Sequence, residues 1–296
     1  MKVSIIIPSR LENPWNLERT LGSIYENATG EFEVLLGMNG EGELPTDSFL
    51  NLKIIEFPED IGVKMNINAL AACARGKYIM KLDAHTRVSK GFDEILQQDM
   101  QPDWVVTPRF KIIQDDWSIQ IRDGVEEFYD YFYLSSPLED PRGFRFKAGG
   151  HWMARTQERL LSHPDLDETP QMHGSGWFCE KDYFFKLGGF PMEDPYGHGM
   201  EPLAVGLNSW LKGGKLMVNK KTWYAHLHQS SGARGYPEDK RQTEYTYNLI
   251  ARFWMGDKEP NIKHNMAWFI DEKFPNMPTW TKDWKEKYQS WLEANP

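Results

Sequence analysis

Cysteine is almost missing from this chain of 296 residues, which has only Cys73 and Cys179. Two thiols make no disulfide framework, which sets aside the small stapled secreted scaffolds and makes the cytoplasm the expected compartment. No stretch approaches the roughly 20 apolar residues that cross a bilayer. The opening MKVSIIIPSR has one Lys and too few apolar residues before Pro8 for a signal peptide, and reads as a buried first strand. Excess positive charge is also lacking. The net charge of −9 weighs against non-specific nucleic-acid binding. Charge is uneven, however: Lys212 to Arg241 holds seven basic residues and two acidic ones. That stretch suits a phosphate-bearing ligand or a plain solvated face. What remains is an ordinary globular balance, 40% hydrophobic and 26% charged, enough to build a sizeable core.

The first hundred residues alternate regularly. VSIIIP (3–8), EVLLGM (33–38), LKIIEFP (52–58) and KYIMKLD (77–83) are short apolar runs that suit a parallel sheet covered on both faces. Between them, 16–28 carries Leu17, Leu21, Ile24 and Tyr25 at helical spacing, and 62–76 is an Ala-, Met- and Leu-rich segment stopped by Gly76. Strand–helix–strand alternation with short connections predicts an α/β, Rossmann-like, mostly parallel central sheet flanked by helices. Further on, 104–110 and 215–228 read as strands, 177–190 as a strand leading into a short helix, and 201–214 as a helix. Residues 243–296 hold five of the twelve Trp residues, which points to packing rather than to a free linker. Residues 1–255 are expected to form one domain, with 256–296 a helical or irregular C-terminal extension packed on it.

Ligands of doubly wound sheets bind outside the carboxyl ends of the strands. Asp83 and His85, at the end of the run YIMKLDAH, therefore fall at a ligand edge. Two apart, they can offer one cation a carboxylate and an imidazole, and a divalent ion there can neutralise a departing diphosphate. Residues at a strand end are expected to carry no packing, so their removal should spare the fold. His226 and His228, in YAHLHQ, share one face of a strand. They fit a metal site or two ordinary histidines. Glu201 opens a helical segment, where an acidic residue also simply favours the helix N-terminus.

Taken together, these residues resemble the GT-A fold glycosyltransferases of family 2 type, and in detail the polypeptide N-acetylgalactosaminyltransferases. The likeness runs through VSIIIPSR, DIGVKMNINALAACARGKYIMKLDAH (60–85), KDYFFKLGGF (181–190), then Glu201, Trp210, Gly213–Gly214 and His226 in order. A lone Asp-x-His is weak, but the whole series covers about residues 3–255. The resemblance implies that Asp83, His85 and His226 bind Mn2+ (or Mg2+) and that Asp83 and Glu201 carry catalysis, with Glu201 facing acceptor or sugar. It implies a nucleotide-sugar donor, a UDP-sugar, contacted by Pro8, Arg10, Asn39, Gly62, Asn66 and Asn68, with the small Ala84 letting the ribose approach. Arg234, Tyr236 and Arg241 would lie in a loop, 230–242, that forms no regular element and closes over the diphosphate. Retention at the anomeric carbon is also implied.

The chain departs from that family in places. Met38–Asn39 stands where an Asp usually meets the uracil ring, and Pro202 follows Glu201 where an Asn is usual. The rival readings are a nucleotidyltransferase of similar fold and a non-catalytic nucleotide- or glycan-binding protein. The first normally has a Gly-rich basic loop after its first strand, and PSRLENPWN is not one. The acceptor stays open among a glycan, a lipid-linked sugar, a protein and a hydroxylated DNA base, the last kept by the basic stretches 142–159 and 212–241.

Overall fold

The computed structural model describes residues 2–40, 42, 45, 49–146, 150–162, 164–190, 201–228 and 240–295. Four strands, β1 (Val3–Ser9), β2 (Phe32–Asn39), β3 (Leu52–Phe57) and β4 (Tyr78–Leu82), pair in parallel in the order β3-β2-β1-β4. The apolar runs of β1, β2 and β4 are continuous because both faces are covered. β3, expected to be covered in the same way, is the edge strand and is exposed or half-buried along its whole length. On β1, Ile6 packs with Leu35 and Ile79 on one face, while Val3, Ile5 and Ile7 pack with Val34 and Leu36 on the other. Burying each such side chain contributes roughly 1.5–3 kcal/mol.

Helix α1 (Pro14–Asn27) begins where Asn13 accepts a hydrogen bond from Trp15 N and Pro14 supplies a preset φ. It lays Leu17, Leu21 and Ile24 on the second face. Helix α2 (Gly62–Cys73) lays Ile67, Leu70 and Ala71 on the first. Gly62 has φ +76°, a conformation costly for any residue with a Cβ.

Next come β5 (Thr86–Val88), α3 (Phe92–Gln98) and β6 (Trp104–Ile113). Two-residue strands β7 (Ile121–Arg122), β8 (Val125–Glu126), β9 (Phe128–Tyr129), β10 (Phe132–Tyr133) and β11 (Gly150–His151) lead to α4 (Met153–Arg159) and β12 (Leu166–Glu168). β13 (Gly176–Glu180) runs into α5 (Lys181–Leu187), a π-helical segment Pro202–Leu207 into α6 (Asn208–Leu211), and then comes the long β14 (Lys215–Leu227). β13 inserts antiparallel between β4 and β6, and β14 lies parallel to β6. The sheet thus continues from β4 through β13, β6 and β14 to β12.

After α7 (Lys240–Met255), a π-helical turn (Trp268–Lys273) and α8 (Trp284–Ala294), the tail places Met266, Phe269, Phe274, Met277 and Trp284 in the same apolar cluster as Trp177 and Trp210. One expectation is corrected here. Residues 230–242 were to form no regular element, yet α7 starts at Lys240, because the apolar and aromatic residues from Tyr245 on recur at helical spacing. Arg234 and Tyr236 lie outside the described residues, as does the side chain of Arg241.

Candidate active site

Backbone register assembles the site. β14 pairs antiparallel with β5, setting His226 opposite Thr86, and Leu227 N donates to His85 O at 3.0 Å. Thr20 on α1 pins the intervening turn: its Oγ1 donates to Ala84 O at 3.0 Å and accepts from Thr86 N at 3.0 Å. Asp83 N donates to Ser175 O, just ahead of β13. Gly176 begins β13 because a Cβ there would sit 2.6 Å from the ring of Tyr224.

Asp83, His85 and His226, 143 residues apart from first to last, come together here. One ligand atom from each lies within 4.8 Å of the others. Asp83 Oδ2 is 3.1 Å from His226 Nε2. His85 Nδ1 meets Glu12 Oε2 at 2.7 Å, an outer carboxylate that fixes the imidazole and leaves its other nitrogen for a ligand.

The centre of the cluster is a residue that sequence reading passed over. Lys81 is 1% exposed and its ammonium meets Asp83 Oδ1 at 2.5 Å, Glu201 Oε1 at 2.8 Å and Gly174 O at 2.9 Å. All three ammonium protons are used. Burial opposes the charge on Lys81, but Asp83 and Glu201 outweigh it and raise its pKa above the usual lysine value. Burial pushes Asp83 up, while Lys81 and then His226 pull it well below the carboxylate range. With its side chain 28% exposed, the charged neighbours decide that direction. Burial is the main cause of the lowering of His226 to about 4, only partly offset by Asp83. The site therefore holds an ionised carboxylate beside a neutral imidazole, the protonation states a cation requires.

Asp83 thus does carry packing, contrary to the sequence expectation: it is one of two carboxylates that neutralise a buried lysine. The sequence signal was Lys81 itself, a charge inside an apolar strand, which needs a nearby counter-charge. Glu12 had no such signal.

The residues expected around the donor divide. Arg10 forms an ion pair with Asp60 at 2.6 Å. Asp60 accepts from Asn39 Nδ2 at 2.7 Å and from Gly62 N at 2.9 Å, and Ile61 N donates to Asn39 Oδ1 at 2.8 Å. Arg10, Asn39 and Gly62 are therefore brought together, around an Asp60 that sequence reading did not single out. Pro8 lies past the last β1–β4 pair, Ile6 with Lys81, where a strand residue without an N–H is tolerated. Asn66 is buried and donates to Gly37 O, and Asn68 exchanges two hydrogen bonds with the backbone of Phe190. Ala84 is 2% exposed and packs in the apolar cluster. Among the described residues of the basic stretches, Arg142 and Arg145 pair with Asp140, Arg159 with Asp167, Lys212 with Glu259, Lys215 with Glu168 and Lys221 with Asp99.

Residues 4–163 match the sequence model of the family described as Glycosyl transferase family 2. A putative polypeptide N-acetylgalactosaminyltransferase 13 of Drosophila melanogaster is 25% identical over 222 residues, 70% of this chain and 37% of that protein. A probable N-acetylgalactosaminyltransferase 6 of Caenorhabditis elegans is 27% identical over 219 residues, 72% of this chain and 33% of that protein. The chain spans about a third of the length of these curated relatives. Among solved structures, GalNAc-T7 with UDP, GalNAc and Mn2+ superposes with a TM-score of 0.68 at 16% identity, over 99% of this chain and 57% of that one. Residues 1–349 of S. aureus TarS in complex with UDP-GlcNAc give a TM-score of 0.56 at 14% identity, over 91% of this chain and 69% of that one. The architecture, a mixed α/β sheet flanked by helices, is the GT-A fold of these neighbours.

Proposed function

Because the chain belongs to glycosyl transferase family 2 and is a glycosyltransferase, we propose that it moves a sugar from a UDP-sugar to a hydroxyl acceptor, with a divalent cation held by Asp83, His85 and His226. The observation that carries this reading is the convergence of one ionised carboxylate and two imidazoles at the carboxyl edge of β4, tied through Lys81 to Glu201. That mixed oxygen and nitrogen set fits Mn2+. GalNAc-T7, crystallised with UDP, GalNAc and Mn2+, and TarS, with UDP-GlcNAc, support the choice of donor and ion. The bound ion would neutralise charge on the departing diphosphate.

The chain's own groups do the positioning. Lys81 occupies Asp83 Oδ1 and leaves Oδ2 on the side of His226. The same ammonium holds Glu201, so the cation side and the acceptor-side carboxylate form one rigid unit, the preorganisation that transfer requires. Glu12 sets the tautomer of His85. Ion pairing of six described basic side chains of those stretches within the fold favours a glycan, lipid-linked sugar or protein acceptor over DNA.

The test is a hydrolysis screen with purified protein, Mn2+ and a panel of nucleotide sugars. Release of UDP from one UDP-sugar, lost on chelation, is the expected result. Release of pyrophosphate instead would mean nucleotidyl transfer. No consumption of any donor would leave a binding protein.

A further inference from the structure

His226 belongs to a second group. Its ring lies 5.2 Å from that of His173 and 5.0 Å from that of His228, and those two are 5.3 Å apart. One ligand nitrogen from each of the three falls within 4.8 Å of the others. His173 precedes β13 and His228 follows β14, so neither comes from the Asp83–His85 turn. Nδ1 of His173 is bound to Ser175 Oγ at 2.6 Å, and its ring is stacked on Phe110 at 4.7 Å, which sets its orientation. His226 is 7% exposed; its Nε2 faces Asp83, while its Nδ1 is buried without a hydrogen-bond partner among the described residues. A buried imidazole nitrogen without a partner is costly and wants a ligand.

We propose that His173, His226 and His228 form a second, nitrogen-only cation site that takes a borderline transition metal such as Zn2+, and that the two sites are filled in turn because they share His226. Three imidazoles without a carboxylate suit Zn2+ better than Mn2+ or Mg2+. At Zn–N distances of about 2.0–2.1 Å, three tetrahedral nitrogens sit about 3.3 Å apart, so closing the group takes side-chain movement on the order of 1 Å. His228, exposed, gives the ion a way in and leaves a fourth position to water. Turn-taking follows from the ring. A neutral imidazole has one nitrogen free of a proton, and therefore one ion at a time. An ion taken through Nδ1 uses the atom now without a partner and leaves Nε2–H to donate to Asp83, a carboxylate–histidine–metal arrangement. Zn2+ thus withdraws His226 from the site proposed to hold the donor's cation, a consequence that rests on that reading.

Calorimetric titration with Zn2+, and visible spectra with Co2+ as its optical stand-in, test the site without any donor. The wild-type chain should bind Zn2+ and give the intense Co2+ bands of tetrahedral coordination. His228→Ala and His173→Ala should each weaken Zn2+ by at least ~10-fold and lose the bands, and His85→Ala should keep both. His228→Ala decides if His173→Ala fails to fold. Loss of Zn2+ binding in His85→Ala with none in His228→Ala would place the ion on the Asp83 side and overturn the proposal. Turn-taking is read from Mn2+ by paramagnetic resonance: Zn2+ should release bound Mn2+ from the wild type at a lower concentration than from His228→Ala, where it competes only directly at the Asp83 site. Mn2+ that stays bound beside Zn2+ refutes it. A chain that takes Zn2+ with this dependence but never Mn2+ would sink the donor-site reading and leave the three-histidine site standing.

Discussion

Replacing Lys81 by Met keeps the stem and removes the ammonium. In the wild type that ammonium has three acceptors and is 1% exposed. Breaking a buried charge network by deleting one partner costs about 3–5 kcal/mol, because the remaining charges are left uncompensated. Here the side chains of Asp83 and Glu201 are 28% and 14% exposed, so water recovers part of that. The expected loss is about 2–4 kcal/mol. At roughly 2 °C per kcal/mol for a chain above 250 residues, the melting temperature should fall by about 4–8 °C. Two unneutralised carboxylates also attract cations, so Mn2+ should recover more stability in the variant than in the wild type. Differential scanning calorimetry with Mn2+ and with chelator measures both effects. A fall of less than about 1 kcal/mol would show that Lys81 is not the counter-charge of this cluster. So would an Mn2+ response no larger than the wild type's.

Other consequences are checked by simpler assays. Asp83→Asn and His85→Ala should abolish chelator-sensitive UDP release, and wild-type activity of either in chelator would refute the metal reading. Glu201→Gln should lower kcat by several orders of magnitude with the donor still bound if Glu201 is a general base for inversion, and the anomeric proton of the product decides between inversion and retention by NMR. Gly176→Ala should destabilise by about 1–3 kcal/mol in urea melts, since its Cβ would lie 2.6 Å from the Tyr224 ring. Glu33 is fully buried, with hydrogen bonds from Ser4 Oγ and from Arg75 N and Nε. Burial pushes its pKa up, but Arg75 and Ser4 more than offset it and hold the pKa below the usual glutamate value. Its stabilisation is therefore present above pH about 4.3 and lost as pH falls through the lowered value. Glu33→Gln should cost about 1–3 kcal/mol at pH 7, and the gap to wild type should narrow in acid.

Much of the layout is written locally. The runs at 3–8, 33–38, 52–58, 77–83, 104–110 and 215–228 appear as strands within a few residues of their expected ends; all but the exposed edge strand β3 are largely buried, and a strand buried on both faces needs an unbroken apolar run. The helices at 16–28 and 62–76 follow from apolar spacing and from Asn13–Pro14 and Gly62 at their starts. β5, with three residues, and the two-residue strands have no period to read, and exist only because a neighbour offers them an edge. The same division runs through the site. Asp83 and His85 could be placed at a ligand edge from sequence, since their strand and its direction are local facts. That His226 faces them is decided by the β14–β5 register, and that Lys81 joins Asp83 to Glu201 is decided by where the helical segment after Glu201 docks. Asn66, Asn68 and Ala84, whose order suggested a donor contact, also hold the fold, through Gly37, Phe190 and the core, a role their order did not show. Sequence by itself determined which segments are buried and which residue types stand at their ends. Which of those ends meet is a matter of long-range pairing and packing between residues more than a hundred positions apart, and only the tertiary structure decided it.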